Sequence, residues 1–452
     1  MGVHVHRSER TDALLHGVSR LLTGIPSDPF TPEVVAVPSP GIERFITQGL
    51  GKMLGTTGDS QDGVCANVVF PSPAAVVNRL ISQATGNDPH TDPWLPERAV
   101  WPLLSVIDRS AGEAWCEPLA RHLGLDVDDP HRRDRRFAVA TRLASLFGAY
   151  ASQRPQMLLD WADGRDTDGA GAGIPDDLSW QPALWRSLRV EIGTASLAER
   201  MADACAAVRS DPQVVDLPER LSVFGASRLP ADQLQILSAL GDKREVHLWL
   251  ADASPALWRE LSPGQSTRRR EDTSAAHVAN PLLRSLGRDA RELRIRLAQH
   301  VLTADDRHLA ADLAADTLLG HLQRQLRDNA DPRTQGTLRP GDGSIQVHAC
   351  HGQTRQAEVI REIILRLLQD DPTLEPRDIL MMCPDLDAFA PLLSAAFSAP
   401  GGWGSLRLRI ADRTPEQSNA VLTALAALLE LITGRLELSV LLDFAAQPPV
   451  ST

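Results

Sequence analysis

At 452 residues the chain is too long for one hydrophobic core and is expected to divide into two or three domains. With 43% hydrophobic and 23% charged residues it has the make-up of a soluble globular protein, and its longest apolar stretch, Ala420 to Leu429, is far short of a membrane span. Five scattered cysteines with no C-x-x-C argue against a disulfide framework, a zinc ribbon or a cysteine-bound cluster, and the net charge of −12 leaves any nucleic-acid binding to local basic grooves.

In chain order, Met1 to Asp12 is polar rather than a signal sequence, which with the free thiols points to the cytoplasm. Val3-His4-Val5-His6 alternates like a strand, and Thr11 to Leu22 carries its leucines at helical spacing. Val34 to Val37 is a short apolar strand broken by Pro38-Ser39-Pro40-Gly41. Ile42, Phe45, Ile46, Leu50 and Met53 then mark a helix, and Val68-Val69-Phe70 a second strand. Residues 76–214 turn helical, with Asp163 to Asp177 expected as a mobile loop. Strands return at Leu221 to Phe224 and Glu245 to Leu250, joined by a crossover helix over Ala231 to Leu240. Residues 261–279 read as a polar loop. A second α/β unit is expected from a strand over Ser344 to Cys350, a helix over Arg355 to Leu368 and a buried strand over Ile379 to Cys383, with Asp385 capping the next helix. The fold class is therefore α/β. The expected domains are a parallel-sheet domain from 1–75 and 215–335, an inserted helical domain over 76–214, and the beginning of a second α/β domain over 340–452.

Chemistry is constrained most by the lysines, of which there are two, Lys52 and Lys243. Neither ends a G-x-x-x-x-G-K-[ST] loop, and neither stands two residues after a carboxylate as a restriction-type nuclease centre requires. The turn at residues 38–41 also loses two backbone donors to proline where a phosphate loop needs bare N–H groups. Neither a P-loop ATPase nor a lysine-bearing nuclease can be built here. His348, Cys350 and His351 would bring at most two ligands to one face of a strand, so core packing is the expectation and no metal is. Asp385 and Asp387 read as capping residues, and Ser39 lacks the G-x-S-x-G elbow of a nucleophile. The runs His131 to Arg136 and Arg268-Arg269-Arg270, and the arginines at 284, 288, 291, 294 and 296, read as solvated faces.

Several blocks carry a family resemblance. Val37-Pro38-Ser39-Pro40-Gly41-Ile42 with Ala66 to Pro73 resembles the N-terminal signature of RecC, the gamma subunit of exodeoxyribonuclease V (the RecBCD enzyme). The likeness continues through Ala144 to Tyr150, Trp180-Gln181-Pro182, Val223 to Ser227, Asn280-Pro281-Leu282-Leu283, His348 to Arg355, Asp371 to Ile379 and Ala411-Asp412-Arg413. Family members are much longer than this chain.

The resemblance implies a degenerate superfamily 1 helicase fold, in which the segment after Phe224 lacks the acidic pair that an active helicase uses for magnesium. It implies a non-catalytic scaffold that binds RecB-like and RecD-like partners in a heterotrimer and channels single-stranded DNA in double-strand break repair and recombination. It further implies that the chain itself binds no cofactor and that ATP and Mg are used by the partners. The family's channel reads a Chi signal, and its positions fall on Pro38, Pro40, Arg44, Ser72, Asn78, Ser145, Leu146, Gly148 and Thr194. Leu146 keeps the family pattern and the others depart from it. Prolines and glycine offer no side-chain hydrogen bond, so Arg44 is left to hold a phosphate or stack on a base. Two other readings stand beside this one: an α/β protein-interaction module without a DNA role, and an enzyme that binds nucleotide by another route.

Overall fold

The structure, a computed structural model, describes residues 1–24, 28, 30–56, 63–88, 90–124, 130–261, 273–301, 303–310, 316–332, 339–398, 406, 408–410, 419–433 and 438–450, without the side chains of 130–134, 430 and 433. It divides into two compact units, Met1–Ser344 and Ile345–Thr452.

The first unit is built on one sheet. Strands β1 (Gly2–Ser8), β2 (Glu33–Ala36), β3 (Val68–Val69), β4 (Arg220–Phe224), β5 (Glu245–Ala251) and β6 (Thr303–His308) lie in the order β3-β2-β4-β5-β1-β6, every neighbouring pair parallel. A parallel sheet must be covered on both faces, since each crossover returns over the sheet. The helices α1 (Thr11–Leu22) and α2 (Pro40–Met53) cover one face, where Leu14, Val18, Ile46 and Leu50 pack on Val35, Phe224 and Trp249. The opposite face, including Val5, Ala36, Val223 and Leu248, packs against α3 (Pro73–Thr85) and several later helices.

Between β3 and β4 the chain runs through α4 (Pro96–Arg109), α5 (Glu117–Leu123), α6 (Pro130–Gln153), α7 (Pro155–Ala162), α8 (Trp180–Ile192) and α9 (Leu197–Ser210). Most of these share a core around Leu103, Phe147, Trp161 and Trp185, with Trp161 set edge-on to both Tyr150 and Trp185. The loop 163–177 is knitted together rather than loose: the Asp168 carboxylate accepts the N–H groups of Ala170 and Ala172, and Trp161 Nε1–H donates to the Thr167 carbonyl. After β4 come α10 (Ala231–Gly241), the expected crossover, then α11 (Pro255–Glu260), α12 (Pro281–Leu286), α13 (Arg288–His300) and α14 (Leu318–Arg327). The sequence pattern does not predict β6. Its residues are mostly polar, as an edge strand held only by β1 allows.

In the second unit α15 (Gln353–Asp370) and α16 (Leu386–Ser398) join through Ala357, Ile364, Leu393 and Phe397, followed by α17 (Ala420–Thr433) and α18 (Leu438–Ala445). Asp385 caps α16 as expected, its carboxylate accepting the N–H of Ala388 at 3.1 Å. The two strands expected here are absent. Residues 344–350 and 379–383 belong to no ladder, and Val347, Leu380 and Met382 are more than four-fifths exposed. An alternating or apolar sequence supplies the side chains of a strand but not the neighbour that satisfies its backbone. No such neighbour lies among the described residues of this unit. His348 and His351 are consequently exposed instead of packed in a core. The Arg268–Arg270 run and Ala411-Asp412-Arg413 lie outside the described residues.

Candidate nucleic-acid interface

Ligands of an open parallel sheet bind beyond the carboxyl ends of its strands, and here that edge is closed against phosphate. Ser39 follows β2 in extended conformation and its Oγ accepts the N–H of Ile42 at 3.4 Å, while Pro40 takes the first position of α2. After β3 the same device recurs: Ser72 Oγ accepts the N–H of Ala75 at 3.1 Å and Pro73 opens α3. A helix end attracts phosphate through N–H groups left free, and each serine–proline pair takes away two of these donors. Glu43, in the first turn of α2, adds a negative charge. At the end of β4, Gly225 sits at φ +70° and leaves 3.2 Å between its would-be Cβ and Ile42 Cδ1, which draws α2 onto the strand end.

Farther along this edge lies a charged cluster that the sequence does not reveal. Arg7, buried at the end of β1, donates to Asp252 after β5 and to Asp306 of β6, both at 2.6 Å. Its guanidinium also lies over the Trp258 ring at 4.4 Å, with Arg294 near the same ring at 5.0 Å. Trp258 Nε1–H donates to the second oxygen of Asp306. Burial pushes the Asp252 carboxyl up, and Arg7 works against that shift. Carboxylates held this way are occupied by arginine and tryptophan. Among the described residues no group of three or more His, Cys, Asp or Glu is placed to hold a metal. Arg7 of β1, Asp306 of β6 and Asp252 just past β5 meet here across separations of 245 and 299, so only the pairing of the strands brings them together.

The channel positions fall into two groups. Pro38, Pro40, Arg44 and Ser72 lie on the closed edge just described, all of them exposed. Ser72 is committed to its cap. Arg44 has no hydrogen-bond or ion-pair partner among the described residues. In the second group, Asn78 of α3 and Gly148 of α6 line a cavity of about 300 Å³ between α3, α4, α6, α8 and α10. Thr194 is tied to its wall, because the Thr194 carbonyl accepts the indole N–H of Trp94 at 3.0 Å. Ser145 is exposed one turn before Gly148 with its hydroxyl donating to the Thr141 carbonyl, and Leu146 packs into the helical core.

A family model described as the RecC N-terminal domain matches residues 3–329. The chain belongs to the RecC family. The RecBCD enzyme subunit RecC of Mycobacterium tuberculosis is 44% identical to it over the whole of this chain and 41% of that protein. Its counterpart in Mycolicibacterium smegmatis gives the same 44% and 41%, and that of Escherichia coli is 28% identical over 90% of this chain and 39% of its own length. The chain thus spans about two fifths of the length of these relatives.

Several blocks that mark the RecC resemblance serve packing and capping. Trp161 and Trp185 are fully buried in the helical core, and Tyr150 reaches Gln181 through its hydroxyl at 3.0 Å. Asn280, also buried, accepts the N–H groups of Leu282 and Leu283 to start α12, and its amide donates to the Ala330 carbonyl. Of the arginines of α12 and α13, Arg284 is exposed as expected, whereas Arg291 is buried rather than part of a solvated face. Arg291 is buried against Ser274 Oγ and the Leu283 carbonyl, Arg284 holds the Val278 carbonyl, and Arg296 pairs with Glu292. The donors of Arg291 are spent inside the fold. Of the basic run opening α6, Arg136 pairs with Asp108.

Proposed function

We propose that this chain is the N-terminal part of a non-catalytic, DNA-binding scaffold subunit of a RecBCD-type helicase and exonuclease, acting in double-strand break repair and homologous recombination. In this reading residues 1–75 and 215–335 form a degenerate superfamily 1 helicase-like domain, 76–214 its helical insertion and 340–452 the start of a second such domain. RecB-like and RecD-like subunits complete a heterotrimer in the cytoplasm and carry the ATP and Mg chemistry, and single-stranded DNA passes this subunit. The observation that carries the reading is the stopping of the β2–α2 turn by Ser39 and Pro40, in a chain of the RecC family. A motor-like sheet without a phosphate cradle suits a subunit that guides a strand while its partners move it.

Co-expression of the full-length gene product with candidate RecB and RecD chains tests this. One stable complex with DNA-dependent nuclease activity is expected, and failure to co-purify overturns the proposal. The full-length subunit alone should show no DNA-stimulated ATPase. Turnover that disappears on Lys52→Ala would contradict the stopped turn.

A further inference from the structure

The outer face of the helical insertion carries two large aromatic rings that its core does not use. Trp101 of α4 and Phe137 of α6 are 64% and 52% exposed, and they are neighbours, with ring centroids 5.7 Å apart and planes inclined by 46°. Single exposed apolar residues are ordinary on a folded surface, but this pair leaves roughly 200 Å² of aromatic side chain in water at one spot. On α4 the buried side chains Val100, Leu103, Val106 and Ile107 form the stripe opposite Trp101, so packing within the fold does not account for the ring. The platform beneath it is fixed. Arg136 of α6 donates to Asp108 of α4 at 3.2 Å, and Arg109 of α4 to Glu191 of α8 at 2.7 Å.

The charge around the pair is uneven. Residues 130–142, the first half of α6, contain five arginines and one aspartate. Arg135 and Arg142, seven residues apart and so on one face of the helix, are exposed and have no hydrogen-bond or ion-pair partner among the described residues. Around Trp101 itself both signs occur, with Glu97 and Arg98 one turn before it and Asp108 two turns after. That mixture decides between two classes of partner. A phosphate chain laid over the ring would meet the carboxylates of Glu97 and Asp108, and inclined rings offer no parallel faces to successive bases. A protein segment carries both signs and an aliphatic anchor that fits the notch between the rings. We propose that this face docks an acidic segment of a partner subunit, with a leucine-like side chain seated between Trp101 and Phe137 and carboxylates opposite Arg135 and Arg142. Tryptophan and arginine are the residues most enriched at the energetic centres of interfaces, and a fixed platform loses little freedom on binding. The inference rests on the scaffold reading above and names a surface that such a scaffold uses.

The test uses the full-length gene product, with candidate RecB and RecD chains titrated onto it one at a time by biolayer interferometry. Trp101→Ala should weaken the binding of one of the two chains by about thirtyfold, the loss expected when a tryptophan at the centre of an interface is truncated. The melting temperature of the free subunit should not change, because the ring packs on nothing buried. Arg135→Glu combined with Arg142→Glu should slow association with the same chain and remove most of its salt dependence, since opposite charges across an interface act chiefly on the rate of encounter. If both variants bind both chains as the parent does, the docking proposal falls while the scaffold reading stands. If Trp101→Ala lowers the melting temperature of the subunit alone and spares both partners, a later part of the same chain covers the ring and the proposal falls. If the variants keep both partners but lose affinity for forked or single-stranded DNA, the face binds nucleic acid and the proposal falls as well. A parent that binds neither chain overturns the scaffold reading and this surface with it.

Discussion

Replacing Arg7 by methionine removes the guanidinium that joins three strands at the carboxyl edge of the sheet. The side chains of Arg7 and Asp252 are 7% and 9% exposed and that of Asp306 is 33% exposed, so the loss leaves one buried carboxylate without its counter-charge. Breaking a buried pair in this way costs about 3–5 kcal/mol, which for a unit the size of Met1–Ser344 lowers the melting temperature by about 4–7 °C. The effect must depend on pH with a definite sign. Burial already raises the Asp252 pKa, and without Arg7 it rises further, so the folded variant binds a proton that the unfolded chain has released. Its deficit is therefore smallest in acid, where both states are protonated, and grows as pH rises through the unfolded carboxylate range. Thermal melting followed by tryptophan fluorescence at about pH 4 and about pH 7 reads this directly. The double variant Arg7→Met with Asp252→Leu should recover most of the loss, because an ion pair replaced by apolar groups of similar volume is often neutral. A single variant that melts with the parent protein, or a double variant no better than the single, would refute the assignment of this cluster as a structural ion pair.

The sheet was largely legible in the sequence because its central strands are buried on both faces and read as short apolar runs, as Val34 to Ala36 and Leu221 to Phe224 do. Its helix α2 was legible through the spacing of Ile42, Ile46 and Leu50, while the runs around Ser39 and Ser72 read only as strand breaks and prove to be helix caps as well. β6 was not, because an edge strand rich in charge carries no hydrophobic signal. Strand propensity misled in the second unit, where Ile379 to Cys383 has the composition of a buried strand but no ladder to join. The channel positions came only from the resemblance. The fold brings two of them, Asn78 and Gly148, to one cavity that Gln233, Trp94 and Trp185 also line. A glutamine on a helix reads as surface until tertiary packing buries it, and no spacing rule links residue 233 to residue 78. Arg291 failed in the opposite direction: arginine content suggested solvent or DNA, whereas the fold buries that charge against the Leu283 carbonyl in the last turn of α12 and the Ser274 hydroxyl.

The histidine ladder across β1 and β5 makes stability fall in mild acid. Burial, with neighbouring histidines, lowers the pKa of His6 and of His247 from 6.5 to about 4, so between these values the unfolded chain takes up protons that the folded one refuses. Melting temperatures across that range should drop, and His247→Gln should flatten the dependence. Gly225→Ala should cost about 1–2 kcal/mol, because the residue sits at φ +70° against Ile42; a variant as stable as the parent would show that the turn relaxes freely. The remaining prediction concerns Arg44, exposed on α2 with its guanidinium unengaged among the described residues. Such a group at the edge of the proposed strand path meets the backbone, whose phosphates are the same in every sequence. Each phosphate contact on a single strand contributes about 0.7 to the slope of log affinity against log salt. Arg44→Ala should therefore weaken all homopolymers alike and flatten the slope by about one contact. If Arg44→Ala instead abolished preference for one sequence with the slope unmoved, Arg44 would read a base, and sequence recognition would lie on this edge of the sheet.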